Sequence, residues 1–150
     1  MGLLFVTVAS GFERDAISEL RRALGDGAWC RTAFKGVVLV TTSMEGREAA
    51  KAVGGCDTRL VARITPVDRV VGADLQSIVA AVLGIGGIVA EDAFAGRCRR
   101  RGSHDFSSRD VERSVGSAID GGHVDLENPE RVVNVEILFN RAYISVLRRD

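Results

Sequence analysis

Cysteine, proline, lysine and aromatic residues are all scarce in this sequence of 150 residues, and each shortage excludes something. The three cysteines, Cys30, Cys56 and Cys98, stand far apart and form no C-x-x-C pair. Neither a disulfide framework nor a zinc-ligand spacing is present. No metal and no cofactor are expected, and the expected compartment is reducing and cytoplasmic. No apolar run is long enough to cross a bilayer. Residues 78–90 come nearest, but Gly84, Gly86 and Gly87 interrupt them. The start, Met1-Gly2-Leu3-Leu4-Phe5, has no basic segment and no small-residue cleavage pattern, so it reads as a first strand rather than a signal peptide. An excess of either charge is also lacking. Twenty basic and twenty acidic residues give a formal net charge of +0. By count, residues 1–65 carry +2 and residues 66–150 carry −2. Attraction of the whole chain to a polyanion is therefore small, and any such binding must come from a patch.

Apolar residues make up 46% of the chain, enough for one ordinary domain or two small ones. Residues 3–9 read as a strand. Ser10 and Glu13 have capping-box spacing ahead of a helix over about 11–24, with Phe12, Ala16, Ile17, Leu20 and Leu24 at helical intervals. Strands follow at 28–34 and 37–42, joined at Lys35-Gly36. Thr42 and Glu45 repeat the capping spacing for a helix reaching about Val53, and 58–65 reads as a strand. This β-α-β-β-α-β order predicts an α+β fold with a ferredoxin-like N-terminal domain over residues 1–65. Thr65-Pro66 marks the expected seam.

From residue 66 to 150 the pattern restarts. A helix is predicted at 74–83, closed by Gly84, and a strand at 93–100. Ser107 and Asp110 cap a further helix that presents Val111, Val115, Ala118 and Ile119, and Gly121-Gly122 ends it. A hairpin of 132–138 and 141–147 turns at Phe139-Asn140. The second half is thus α-β-α-β-β.

Basic charge concentrates in one place. Of the 20 basic residues only Lys35 and Lys51 are lysines, and four arginines fall within 97–101. Alternation along a strand places Arg97, Arg99 and Arg101 on one face, about 6–7 Å apart. Phe94 and Cys98 then face a core, and Arg100, near the strand end, is expected to swing into solvent. The turn Gly102 to Ser107 carries Ser103 and His104. The helix start at Ser107-Ser108 adds free N–H groups, with Arg109 and Arg113 four residues apart on one face. Guanidinium forks beside a helix N-terminus suit phosphate. An edge strand guarded by charge is the plainer reading of the same residues. Consecutive Ser103, His104 and Asp105 cannot converge as a hydrolytic triad. Core packing is the expected role of the lone Trp29 and Tyr143.

Phe94 to Arg101 on a strand, Gly102-Ser103-His104-Asp105-Phe106-Ser107 leading into a helix, Val115-Gly116 within it, Val124 to Pro129 and the Val133-to-Val146 hairpin with Tyr143 together resemble the THUMP domain. Gly11 to Ala16 is similar to the start of stand-alone THUMP proteins that assist tRNA cytidine acetylation. The resemblance implies a THUMP-like domain over 66–150 that binds tRNA near the acceptor stem and 3′ end. Its implied RNA contacts are Arg97, Arg99, Arg100, Arg101, Ser103, His104, Ser107, Ser108, Arg109 and Arg113. It also implies no catalysis by this chain, since the catalytic domains of the family are appended ones and the sequence stops at Asp150. A catalytic tRNA-modifying enzyme acting in trans, such as a cytidine acetyltransferase, is the expected partner. Alternatives are the binding half of a split 4-thiouridine synthase or RNA methyltransferase, or a ferredoxin-like small-molecule sensor or dimerisation module. No membrane partner is expected, and the oligomeric state is open. On this reading, alanine at 97, 99 and 101 abolishes most tRNA binding and leaves thermal stability nearly unchanged.

Overall fold

The computed structural model describes residues 1–148, which divide into two compact units, Met1–Val67 and the unit beginning at Asp68. The first unit runs β1 (Gly2–Val8), α1 (Glu13–Leu24), β2 (Trp29–Phe34), β3 (Val37–Thr42), α2 (Gly46–Gly54) and β4 (Val61–Pro66). Its antiparallel sheet has the order β2-β3-β1-β4, the split-βαβ topology of a ferredoxin-like fold. Ala16 and Leu20 of α1 and Ala49 and Val53 of α2 pack on Leu4, Val6, Val38 and Val40 of the sheet. Period-2 alternation in the strands meets helical spacing in the helices, so a single apolar layer forms between them. Pro66 ends edge strand β4, where its missing N–H costs no ladder bond.

Several local expectations change in this unit. No side chain caps α1, which starts at Glu13 after Phe12. The Glu13 carboxylate accepts from Gly11 N–H and from Gly36 N–H in the β2–β3 turn instead. At α2 the N-cap is Glu45 itself, accepting from Arg47 and Glu48 N–H. Residues 58–60 are not strand, because the Glu19 carboxylate takes the Arg59 and Leu60 N–H groups at 2.8 and 2.9 Å. Trp29 is 66% exposed rather than packed in a core.

The second unit runs β5 (Arg69–Gly72), α3 (Leu75–Ile85), β6 (Ala93–Arg101), α4 (Ser108–Ala118), β7 (His123–Val124), β8 (Arg131–Leu138) and β9 (Arg141–Arg148). Sheet order is β5-β9-β8-β6-β7, with β6 parallel to both neighbours. Ile78 and Val82 of α3 and Val111 and Val115 of α4 close over Cys98, Val133, Val135, Ile137, Ala142 and Ile144. Each such aliphatic side chain contributes roughly 1.5–3 kcal/mol when fully buried. The helix α3 passes through Gly84 and stops at Gly86, whose φ of 68° suits a residue without Cβ. Strands β5 and β7 add to the expected α-β-α-β-β order. Both are short, and β7 pairs only with Ala93 and Phe94. Among the described residues no strand neighbours the outer side of β6 beyond Phe94, which opens the place where the basic residues gather.

Candidate nucleic-acid interface

The arginine strand does not act as one unit. Arg97 and Arg99 are exposed as expected, and the Arg99 guanidinium makes no hydrogen bond or ion pair among the described residues. Arg101 departs from the expectation. Its Nη1 lies 2.9 Å from Glu136 Oε1, and the Glu136 side chain is 1% exposed. Parallel pairing sets Arg101 opposite Leu138 and Arg99 opposite Glu136, so Arg101 reaches two residues back along β8 to neutralise a carboxylate withdrawn from water. Arg100 also departs: it is half-buried, its Nη1 is 3.0 Å from His104 Nδ1, and its Nε has no partner. Arg100 shares the helix-facing side of β6 with Cys98, which holds it inward.

His104 is occupied on both ring nitrogens. Nε2 lies 2.6 Å from the Phe139 carbonyl, which can only accept, so Nε2 carries the proton and Nδ1 accepts from Arg100. The ring also lies 5.3 Å from Phe106. His104 therefore ties the Gly102–Ser107 turn to the β8–β9 turn, and no nitrogen is left to bond a phosphate. Ser103 is exposed and lines a cavity of about 560 Å³ with His104, Phe106 and Phe139.

The start of α4 shows the predicted capping box. Ser107 Oγ accepts from Asp110 N–H at 3.0 Å, and Asp110 Oδ2 accepts from Ser107 N–H at 2.8 Å. A carboxylate thus already serves the positive helix end, and of the N–H groups expected to be free near 108–110, that of Asp110 is taken by Ser107 Oγ. The N–H and hydroxyl of Ser107 hold the Asp110 carboxyl below its usual range, with Arg113 adding to the effect. A depressed folded value contributes stability above the unfolded carboxyl pKa of about 3.9, and that stability fades as pH falls through the folded value. Asp110→Asn is expected to shallow the acid limb of melting temperature against pH and to leave the limb above pH 7 flat. Melts from pH 2 to 8 check this.

The structure brings Arg97, Arg109 and Arg113 together around one groove of about 780 Å³ between β6, α4 and residues 124–126. Arg109 and Arg113 are exposed on consecutive turns of α4, with no ion pair among the described residues. Arg97 Nη2 donates to Leu126 O at 2.9 Å, which steadies the guanidinium at the rim. The segment holding Leu126 is fixed by Asp125 N–H donating to Phe94 O and by Asp125 Oδ1 accepting from Glu127 and Asn128 N–H. Glycines line the interior at 96 and 116, and Val124 and Leu126 form an apolar shelf, 56% and 63% exposed. Glu112 accepts the Cys98 N–H at 2.9 Å on the open side of β6. Burial raises the Cys98 thiol to about 11, so it stays protonated at neutral pH. Neither Glu112 nor the Val124–Leu126 shelf is evident from the sequence as a groove component. Both depend on β7 stopping after two residues.

The groove offers cationic forks at its rim and apolar surface within, the combination that holds a nucleic-acid backbone and a base face. Among the described residues no helix is long and apolar enough to cross a membrane.

The "Probable tRNA sulfurtransferase" of Saccharolobus solfataricus is 35% identical over 137 residues, 88% of this chain and 35% of that protein. The crystal structure of TrmN from Thermus thermophilus matches 97% of this chain and 45% of its own, with a TM-score of 0.74 and 27% identity. That of PH1313 from Pyrococcus horikoshii matches 99% and 55%, with a TM-score of 0.75 at 21% identity, which speaks to the fold. The chain spans about a third to a half of these relatives' lengths. The THUMP domain itself matches residues 73–147, from the end of β5 into β9, enclosing the whole groove. The chain belongs to the THUMP-domain family.

Proposed function

We propose that this chain binds tRNA at the β6–α4 groove and presents its acceptor end to a catalytic domain or partner chain that modifies it. The carrying observation is the convergence of Arg97, Arg109 and Arg113 on one groove in a chain of zero net charge. A local cationic site on a neutral protein binds a polyanion at one place and disfavours indiscriminate association. The chain itself carries no catalytic role in this reading. The name of the Saccharolobus solfataricus relative supports sulfur transfer as the chemistry performed on the bound tRNA. Cytidine acetylation rests on the short Gly11–Ala16 resemblance and is the second reading.

Fluorescence anisotropy with labelled tRNA tests the proposal. Three phosphates engaged by three arginines give a log–log salt slope of about −3. Removing the unpaired 3′ end of the tRNA is expected to weaken binding about tenfold, because stacking and hydroxyl contacts to the free end are lost. A salt slope near zero, or equal affinity for intact and trimmed tRNA, overturns the reading. Binding of a metabolite with no response to tRNA favours the small-molecule sensor.

A further inference from the structure

The arginine-rimmed groove contains one feature that does not belong in a simple phosphate receptor. Glu112 lies among Arg97, Arg109 and Arg113, yet it forms no ion pair with any of them among the described residues. One of its carboxylate oxygens, Oε2, is engaged by the Cys98 N–H at 2.9 Å. That bond fixes the carboxylate against β6, and among the described residues Oε1 has no hydrogen-bond partner. An anchored, acceptor-only oxygen in the groove repels phosphate, which leaves phosphates to the arginine rim. It attracts N–H groups. The interior beside it lacks side chains at Gly96 and Gly116, and a Cβ at Gly116 would stand 3.8 Å from the Val124 methyl. The space is bounded by the Val124 and Leu126 shelf. Its volume falls within the range of about 300–1,000 Å³ typical of clefts for small ligands.

We infer that Glu112 reads the base of an unpaired nucleotide in this groove, accepting a hydrogen bond from an exocyclic amino group and so selecting cytosine or adenine over uracil. The inference rests on the tRNA-binding reading and deepens it, assigning base selectivity to a residue outside the arginine cluster. Carboxylates accept from the N4 amino group of cytosine. Adenine offers the equivalent N6 group. Uracil lacks an exocyclic amino group, and its ring N3–H is flanked by two carbonyl oxygens that meet the carboxylate with like partial charge. The residue acts at the bound base while the arginines hold the backbone, which is the ordinary division between reading and positioning contacts.

The test uses the full chain and single-stranded RNA oligomers of one length: oligo(C), oligo(A), oligo(U) and an oligomer of purine riboside, which is adenosine without its amino group. Anisotropy is expected to show C and A oligomers binding at least about fivefold tighter than U, with purine riboside falling to the level of U. Glu112→Gln keeps an oxygen for the Cys98 N–H and turns an NH₂ toward the groove, so it is expected to lose or invert this order with an unchanged melting temperature. Equal wild-type affinity for adenosine and purine riboside oligomers overturns the inference whether or not the variant folds. So does a Glu112→Gln protein that keeps the wild-type order. Either of these outcomes, together with tight tRNA binding, leaves the tRNA reading standing. Absence of binding to every oligomer and to tRNA removes both.

Discussion

Alanine at Arg109 and Arg113 together is expected to weaken tRNA binding about 100-fold, roughly tenfold for each charge-assisted contact. The salt slope is expected to fall by about two at the same time, one for each phosphate released. Both side chains are exposed on α4 and hold no ion pair among the described residues, so the melting temperature is expected to stay within about a degree of the parent. Loss of affinity at constant slope would mean that the arginines shape the groove without meeting phosphates. Unchanged affinity would move the interface elsewhere. Lysine at both positions separates charge from geometry: a point charge keeps the salt slope and loses the forked, bidentate contact.

Arg101→Ala is expected to unfold the second unit at much lower temperature, which reverses the behaviour anticipated for an exposed strand arginine. Removing it leaves Glu136, 1% exposed, charged and unpaired in the sheet. Breaking a buried pair on one side costs about 3–5 kcal/mol. The lower end applies because the Arg101 side chain keeps 19% of its surface in water. For a unit of this size that amounts to a drop of roughly 12 °C or more in melting temperature. Glu136 Oε2 is already without a partner, so the site has no spare donor to compensate. Arg101→Ala with Glu136→Leu removes the stranded charge and is expected to recover most of the loss. Calorimetry on the two variants decides between a buried pair and an ornamental one. A triple alanine variant at 97, 99 and 101 would therefore confound binding with unfolding, and Arg97→Ala with Arg99→Ala is the cleaner pair.

The elements that could be read from residue order alone were those with strong local signals. Helical spacing in Ala16, Leu20 and in Val111, Val115 placed α1 and α4 within two residues, and the Ser107–Asp110 box is present as expected. The Phe139–Asn140 turn and its hairpin also stand where alternation put them. The missed elements depend on distant partners. Arg69–Gly72 becomes a strand only because β9 lies beside it, and His123–Val124 only because Ala93 and Phe94 do. The same limit applies to the site. Alternation says which face Arg101 takes, but it cannot reveal that the facing strand brings a buried carboxylate, nor that His104 holds Arg100 inward. Arg109 and Arg113 were legible because helix geometry is local. Glu112 was not, since its partner is a backbone N–H fourteen residues earlier.

The pairing of β5 with β9 has a consequence for biosynthesis. Asp68 N–H donates to Ile144 O and its carboxylate accepts from Val146 N–H, both at 2.9 Å, so the entrance to the second unit is stitched to its final strand. A nascent chain on the ribosome can close the first unit early. The second must wait until residues 141–148 leave the exit tunnel, holding Val133, Val135 and Ile137 without their pairing strand in the interval. That interval is when this polypeptide is most open to aggregation and to chaperone capture.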